Sequence, residues 1–259
     1  MPVPKARVVW LYPKIAKPMG GTNFVLSVAS ELKRDYDIVL IAQETTEVFA
    51  RACRGFGVDL IDLNLPTYTD FAFWFLYPFQ MRRLVRRIAE HLRPGDIVIS
   101  SMFPMHVAAQ RLGRNDVEIV YEPFAFFYDS AFVAAFGFFY KIFFQAMFVL
   151  FGNEERKATQ KARRLLALSG FEQKRIEAIY GRKADVIYEG VDTAIFHPAD
   201  ITVPDEYAGK TIVLHSTGFD RFKGTDTVIA AIPELAKKTA FVITARDLYA
   251  RGTAHSCGL

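Results

Sequence analysis

A loop near position 220 carries two cations and two glycines between a predicted strand and a predicted helix. It reads Ser-Thr-Gly-Phe-Asp-Arg-Phe-Lys-Gly over 216–224, with an apolar run before it and a helical pattern over 226–237 after it. Fixed cations in such a loop, here Arg221 and Lys223, stabilise negative charge on a departing phosphate without a metal. An ordinary solvated, charged loop is the alternative.

A pair of glycines, Gly20 and Gly21, is a second candidate for anion binding. The pair lies between a predicted strand over 7–12 and a predicted helix that begins near Asn23. Glycines let the backbone turn tightly and approach a ligand, and the free amides at a helix start favour an anion. A tight turn that binds nothing is the alternative interpretation.

These loops need a scaffold, and the chain before them predicts one in which strands and helices alternate. Apolar runs of strand length occur at 7–12, 37–42, 58–63, 96–100, 118–121, 165–169 and 185–188. Amphipathic helices are predicted at 23–33, 78–92, from about 105, and at 171–180. This alternation indicates an α/β protein with a parallel, doubly wound sheet. After a boundary near Pro198, a linker is predicted at 199–210, and 211–216 opens a second sheet.

Composition and charge exclude several classes of protein. The 259 residues carry 32 basic and 28 acidic side chains, a net charge of +4. No block of like charge, Walker motif or complete dinucleotide fingerprint occurs, so no nucleic-acid partner is expected. The two cysteines, Cys53 and Cys257, lie outside any metal-ligand spacing, which predicts neither a disulfide framework nor a metal site. The first ten residues do not form a signal-peptide pattern, so a cytoplasmic protein is expected.

The segment 124–152 is unusually rich in phenylalanine and tyrosine. Residues 131–152 have about the length of a membrane span, but Lys141 falls in the middle, and a crossing would split the predicted sheet between compartments. We favour an interfacial helix or hairpin that dips into lipid. Packing within the protein or against a partner is the second interpretation, and spanning is the least favoured.

A basic amphipathic helix predicted over 78–92 supports lipid contact. Its four arginines share one broad face, because residues three and four apart are neighbours on a helix; they are Arg82, Arg83, Arg86 and Arg87. Such a face attracts an anionic membrane surface, at about 1 kcal/mol per nearby cation. An ordinary solvated helix face is the alternative.

Three stretches of the sequence resemble one enzyme family. They are Arg-Arg-Leu-Leu-Ala-Leu-Ser-Gly-Phe at 163–171, Val-Ile-Tyr-Glu-Gly-Val-Asp-Thr-Ala-Ile-Phe-His-Pro at 186–198 and Gly-Phe-Asp-Arg-Phe-Lys-Gly-Thr at 218–225. The last two are similar to the interdomain junction and donor-phosphate loop of family 4 glycosyltransferases. The resemblance implies a GT-B fold, in which two Rossmann-like domains face each other. It assigns 1–198 to a complete acceptor domain and 199–259 to the start of a donor-binding domain.

The resemblance also implies roles for individual residues. It implies a retaining enzyme that needs no metal or other cofactor and uses a nucleotide-sugar as its donor substrate. The implied donor-phosphate ligands are Gly20, Gly21, Arg221, Lys223 and Gly224. Relatives place an arginine where this chain has Phe219. Glu122, near a position where relatives carry a histidine, is expected to hydrogen-bond a sugar hydroxyl, with loop capping or pairing to an arginine as the alternative; His106 receives no role.

Relatives continue beyond the position of residues 241–244 with most of another domain, including a paired-glutamate motif. The chain is therefore expected to be truncated, and weak or inactive unless a separate chain completes the donor domain. The expected acceptor is a glycan or a polyprenyl- or lipid-linked molecule, used at the inner face of the membrane by a peripheral protein. The rival hypothesis is a non-catalytic module that binds a membrane surface or a partner.

Overall fold

The computed structural model describes residues 5–15, 20–69, 71–198, 202–216, 224–235 and 239–244. Contacts divide the chain into two compact units, one ending at Gly190 and the other beginning at Val191. The predicted domain assignment, 1–198 and 199–259, stays a prediction.

The first unit is built on a seven-stranded parallel sheet. Its strands, in the order β3-β2-β1-β4-β5-β6-β7, are β1 (Arg7–Ile15), β2 (Asp37–Thr45), β3 (Asp59–Asp62), β4 (Ile97–Ser101), β5 (Val117–Val120), β6 (Arg164–Ala167) and β7 (Asp185–Val186). In the register of the central strands, Val9 lies opposite Val39 on one side and Val98 on the other. The predicted parallel, doubly wound α/β sheet is confirmed.

Nine helices of the described residues connect and cover these strands. They are α1 (Gly20–Leu32), α2 (Glu47–Phe56), α3 (Phe71–Phe75), α4 (Tyr77–Ala89), α5 (Met105–Arg111), α6 (Ala125–Tyr128), α7 (Ser130–Ala134), α8 (Phe138–Lys161) and α9 (Gly170–Tyr180). Local signals set their ends: Ser169 caps α9 by accepting a hydrogen bond from the amide of Glu172 at 3.1 Å, and Gly181 ends it at φ +67°.

The core lies on both faces of the sheet because side chains alternate along each strand. Val9 and Leu11 point to the face covered by α4, α5 and α8, whereas Trp10 and Tyr12 point to the face covered by α1 and α2. A strand buried on both faces must be apolar throughout. This requirement explains why residues 8–13, the fully buried part of β1, read as an uninterrupted apolar run.

The aromatic segment 124–152 forms α6, α7 and most of α8. Its inward side packs on the sheet: Phe144 is buried, and its ring centroid lies 5.6 Å from that of Trp74. One side of the segment therefore packs within the protein, which was the second interpretation of the sequence. Among the described helices, none combines the length and apolar character needed to cross a membrane.

The described part of the second unit is one strand–helix–strand element. Strands β8 (Thr211–Ser216) and β9 (Thr239–Thr244) pair in parallel, and α10 (Thr225–Leu235) connects them in sequence. A short 3-10 turn, Asp205–Tyr207, lies within the predicted linker. The predicted second parallel sheet begins where the sequence placed it.

Candidate functional site

The strand order of the first unit reverses between β1 and β4. From β1 the sheet grows through β2 to β3 on one side and through β4 to β7 on the other. In doubly wound sheets, ligands bind at the carboxyl ends of the strands at such a reversal. The loops that follow β1 and β4 are therefore the first place to look for a site.

The predicted glycine pair lies at the start of α1, after β1. A methyl group added to Gly21 would lie 3.3 Å from Cε1 of Tyr121, whereas one added to Gly20 would meet no atom within 4 Å. The Tyr121 hydroxyl donates a hydrogen bond to the Gly21 carbonyl at 3.4 Å. Gly21 therefore lets the helix start approach the carboxyl end of β5.

Two tyrosines flank this helix start, and the sequence did not indicate their role. The rings of Tyr12 and Tyr121 are nearly perpendicular, with centroids 6.1 Å apart. Burial, assisted by Tyr68, raises the pKa of Tyr12 to about 12. Burial also raises the pKa of Tyr121, as do Tyr12 and Glu189. Both hydroxyls therefore stay protonated near neutral pH and can donate hydrogen bonds.

Met102, at the end of β4, also lies at the reversal. Its φ is +63°, in the left-handed region that residues with a side chain rarely adopt. Such conformations occur most often at functional sites, where surrounding packing maintains them. No sequence signal marked this residue.

Glu122 follows β5 and is exposed. It lines a cavity together with Tyr68 and His106, and its charge is one cause, after burial, of the raised pKa of Tyr68. Glu122, the predicted sugar-binding residue, directly follows Tyr121 in the sequence, and Tyr121 contacts Gly21. Glu122 therefore lies near the start of α1. Its predicted bond to a sugar hydroxyl stays a prediction.

Of the predicted phosphate loop, 216–224, the structure describes the first residue, Ser216, and the last, Gly224. Arg221 and Lys223 lie outside the described residues. Gly224 has φ +73°, and its carbonyl accepts hydrogen bonds from the amides of Thr227 at 3.0 Å and Val228 at 3.1 Å. Gly224 thus immediately precedes α10, in a conformation that glycine adopts at no steric cost.

The predicted basic face is exposed on α4. Met81, Leu84 and Ile88 bury the apolar side of the helix in the core, so that side is not available to lipid. Arg82, Arg83 and Arg86 are exposed and Arg87 is half-buried. Glu90 lies 2.8 Å from Arg87 and 3.7 Å from Arg86, whereas no described carboxylate forms an ion pair with Arg82 or Arg83. This face lies across the sheet from α1.

An exposed group of rings, here named the aromatic patch, lies near the start of α4. It consists of Phe71, Phe75, Phe138, Phe139 and Tyr140. Phe75 is 74% and Phe139 84% exposed, and the ring centroids of Phe71 and Tyr140 are 5.4 Å apart. Phe79, 62% exposed, precedes Arg82 and Arg83 by three and four residues, so it shares their side of the helix.

Comparison with known proteins assigns the family. The model of Glycosyltransferase Family 4 matches residues 18–195, which is most of the chain. The chain belongs to this family. The predicted resemblance is confirmed, and the match includes Gly20, Gly21 and Glu122 but ends before Arg221, Lys223 and Gly224. A comparison of this sequence with curated proteins finds no match.

Solved structures show the fold. HepE of Anabaena, in complex with UDP and glucose, is 15% identical with a TM-score of 0.60 over 91% of this chain and 60% of its own. WaaG, a glycosyltransferase of lipopolysaccharide biosynthesis, is 17% identical with a TM-score of 0.59 over 93% and 65%. The N-terminal domain of trehalose-6-phosphate phosphatase of Candida albicans is 12% identical with a TM-score of 0.51 over 94% and 66%. The chain thus has the GT-B type of Rossmann-like fold and spans about two thirds or less of these structures.

Proposed function

We propose that this family 4 glycosyltransferase transfers a sugar from a nucleotide-sugar to a glycan or lipid-linked acceptor at an anionic membrane surface. The bond between the sugar's anomeric carbon and the diphosphate breaks, and a bond to an acceptor oxygen forms with retained configuration. The acceptor hydroxyl loses its proton, and a nucleoside diphosphate leaves. No metal takes part, because fixed cations and amides offset the charge of the leaving diphosphate.

The observation that carries this proposal is the position of Gly20 and Gly21. They begin α1 at the reversal of strand order, and the start of a helix attracts an anion. The complex of HepE with UDP and glucose supports the choice of a nucleotide-sugar as donor. Glu122, exposed after β5, is proposed to accept a hydrogen bond from a sugar hydroxyl.

Arg221, Lys223 and Gly224 are proposed to bind the donor's phosphates as well. Gly224 immediately precedes α10, so the loop before it leads into a helix start, where the helix dipole favours an anion. A cation there stabilises the transition state more than the bound donor, because charge on the diphosphate grows as the bond breaks. Lys223 is therefore proposed to raise the rate of transfer rather than donor affinity alone.

The membrane part of the proposal rests on two adjacent surfaces. The aromatic patch offers rings that insert into the headgroup region, and the arginines of α4 attract anionic lipid. Phe79 lies on the same side of α4 as Arg82 and Arg83 and joins the two surfaces. A peripheral protein seated this way meets an acceptor that is anchored in lipid.

Donor turnover tests the enzymatic proposal. We would incubate the chain with UDP-, GDP-, ADP- and TDP-sugars and membrane lipid extract, and measure release of nucleoside diphosphate. Lys223→Ala is expected to lower kcat about a hundredfold, as loss of one transition-state cation or donor does. Lys210→Ala removes an exposed lysine of the same unit and is expected to leave kcat unchanged.

Saturation-transfer NMR would detect a donor that binds but is not consumed. Binding without turnover would be consistent with the proposed phosphate ligands and would mean that the assay lacks the acceptor or a further domain needed for transfer. If the folded chain neither binds nor consumes any of these donors, the proposal fails and the non-catalytic module becomes the better hypothesis. Equal turnover by Lys223→Ala and the parent would remove Lys223 from the donor site.

A further inference from the structure

A small acidic cavity lies beside the carboxyl ends of β4 and β5 in the first unit. Its volume is about 110 Å³, and Met102, His106, Glu122 and Glu155 are among its lining residues. An engineered cavity of about 150 Å³ holds benzene, so this one has room for a ligand of a few heavy atoms. Of its lining residues, only Glu122 at the opening has a role in the proposed donor site, and the buried part of the cavity has none.

The lining is rich in carboxyl groups. It includes the carboxylates of Glu118, Glu122 and Glu155 and contains no lysine or arginine among the described residues. Glu118 is 3% and Glu155 1% exposed, while Glu122 stands exposed at the opening and adds charge whether or not it also contacts a sugar. A buried carboxylate is unfavourable unless a proton or a positive charge compensates it, so a cation in the cavity would stabilise the ionised form of these groups.

The hydrogen bonds of the two buried glutamates come from neutral groups. Tyr180 donates to Oε1 of Glu155 at 2.7 Å and Tyr128 donates to Oε2. Thr159 donates to Oε1 of Glu118 at 2.8 Å. Each carboxylate oxygen can accept a second hydrogen bond. These contacts hold the carboxylates in place, do not neutralise them, and leave them able to accept from a ligand.

His106 supplies an independent sign of a missing ligand. It is 3% exposed and lines the cavity, and neither ring nitrogen has a hydrogen-bond partner among the described residues. Nε2 lies 3.7 Å from Oε1 of Glu155, too far for a hydrogen bond. A neutral imidazole always has one acceptor nitrogen, so a donor placed in the cavity would satisfy it.

Aromatic rings form the remaining walls. The centroid of the Phe124 ring lies 5.4 Å from that of Tyr68, 5.5 Å from that of Phe126 and 4.6 Å from that of Phe103. Aromatic faces attract ammonium groups through the ring quadrupole. They offer nothing to a metal ion, which requires oxygen, nitrogen or sulfur ligands on most sides.

We propose that this cavity binds the ammonium group of a small organic amine. The ammonium group would donate hydrogen bonds to His106 and to the buried carboxylates, and the rings would enclose the carbon atoms. A neutral alcohol of the same size could satisfy His106 but would leave the carboxylate charge uncompensated. Burial raises the pKa of Glu155, with His106 acting in the opposite direction, and a bound cation would oppose the effect of burial.

The test compares ethylammonium chloride with ethanol and sodium chloride, added to the whole chain. Binding is followed through the ¹⁵N resonances of the His106 imidazole, assigned with a His106→Gln variant. We expect a saturable shift with ethylammonium and none with ethanol or sodium chloride. Glu155→Gln is expected to weaken ethylammonium binding about tenfold or more, because it removes a charge-assisted hydrogen bond.

Two further variants make the result independent of how well Glu155→Gln folds. Glu122→Gln changes an exposed carboxylate at the opening and is expected to weaken binding about threefold. Glu177→Gln makes the same change on the exposed side of α9, away from the cavity, and is expected to have no effect. An equal response to ethanol, the absence of a response in the folded parent, or equal weakening by Glu122→Gln and Glu177→Gln would each overturn the proposal.

Discussion

Tyr121, at the carboxyl end of β5, closes over Gly21 at the start of α1, with its hydroxyl 3.4 Å from the Gly21 carbonyl oxygen. The contact joins residues 100 positions apart and crosses the reversal of strand order. Phe24, one turn into α1, packs edge-on against the same ring at 5.9 Å. The first turn of the proposed donor-binding helix is therefore positioned by a strand on the other half of the sheet.

Alanine at Gly20 and at Gly21 should act on stability in opposite directions. Alanine favours a helix over glycine by up to about 1 kcal/mol, and Gly20 has open space for a methyl group. At Gly21 the methyl group would displace the Tyr121 ring, so we expect a loss of about 1 kcal/mol. Urea unfolding of both variants measures the difference. Equal stabilisation by Gly20→Ala and Gly21→Ala would show that the Tyr121 ring moves aside without an energetic cost.

Removal of Asp96 should destabilise the first unit strongly. Asp96 is buried, and its Oδ2 accepts from Arg7 Nη1 and from the Arg93 amide, both at 2.7 Å. Asp96→Ala leaves a largely buried guanidinium and an amide without an acceptor, and breaking such a pair costs about 3 kcal/mol. Asp185→Ala, which breaks an exposed pair with Arg164, is the control and should cost about 1 kcal/mol or less. Similar urea midpoints for the two variants would contradict this prediction.

Much of the scaffold could be predicted because its signals are local. Parallel strands buried on both faces read as apolar runs, and Ser169 and Gly181 mark the ends of α9 in the sequence itself. Gly20 and Gly21 were found for the same reason, since a glycine pair between a strand and a helix is a local pattern.

The contacts that give the site its shape could not be predicted, because they join distant residues. Nothing in the sequence pairs Tyr121 with Gly21 or places Glu155 beside His106. A glutamate in a helix normally faces solvent, so the burial of Glu155 has no local sign. Hydropathy likewise could not separate the rings of 124–152 that pack on Trp74 from those that remain exposed, because both have the same composition.

Cys53 should make stability fall at alkaline pH. Burial raises the pKa of its thiol from its ordinary value of 9.0 to about 11, so the unfolded chain loses the proton first. The folded state then holds more protons, and its stability decreases as pH rises from 9 through 11, by up to about 2 kcal/mol. Cys53→Ala, compared with its parent in a Cys257→Ser background, should show a shallower decrease in urea unfolding. Parallel curves for the two proteins would contradict the assignment.

Loss of two arginines from α4 should weaken binding to anionic vesicles. Arg82→Gln with Arg83→Gln removes two exposed cations that have no described carboxylate partner, each worth about 1 kcal/mol at an anionic surface. The combined loss of about 2 kcal/mol corresponds to about thirtyfold weaker binding, measured by sedimentation with phosphatidylglycerol-containing vesicles.

The matched control is Arg51→Gln with Arg54→Gln on α2. It makes the same change in net charge, but these arginines pair with Glu47 at 3.9 and 2.6 Å and lie away from the aromatic patch. A local docking surface requires the α4 variant to lose far more binding than the control. Equal losses would mean that net charge alone attracts the protein. Equally strong binding to pure phosphatidylcholine would mean that the aromatic patch acts without the arginines.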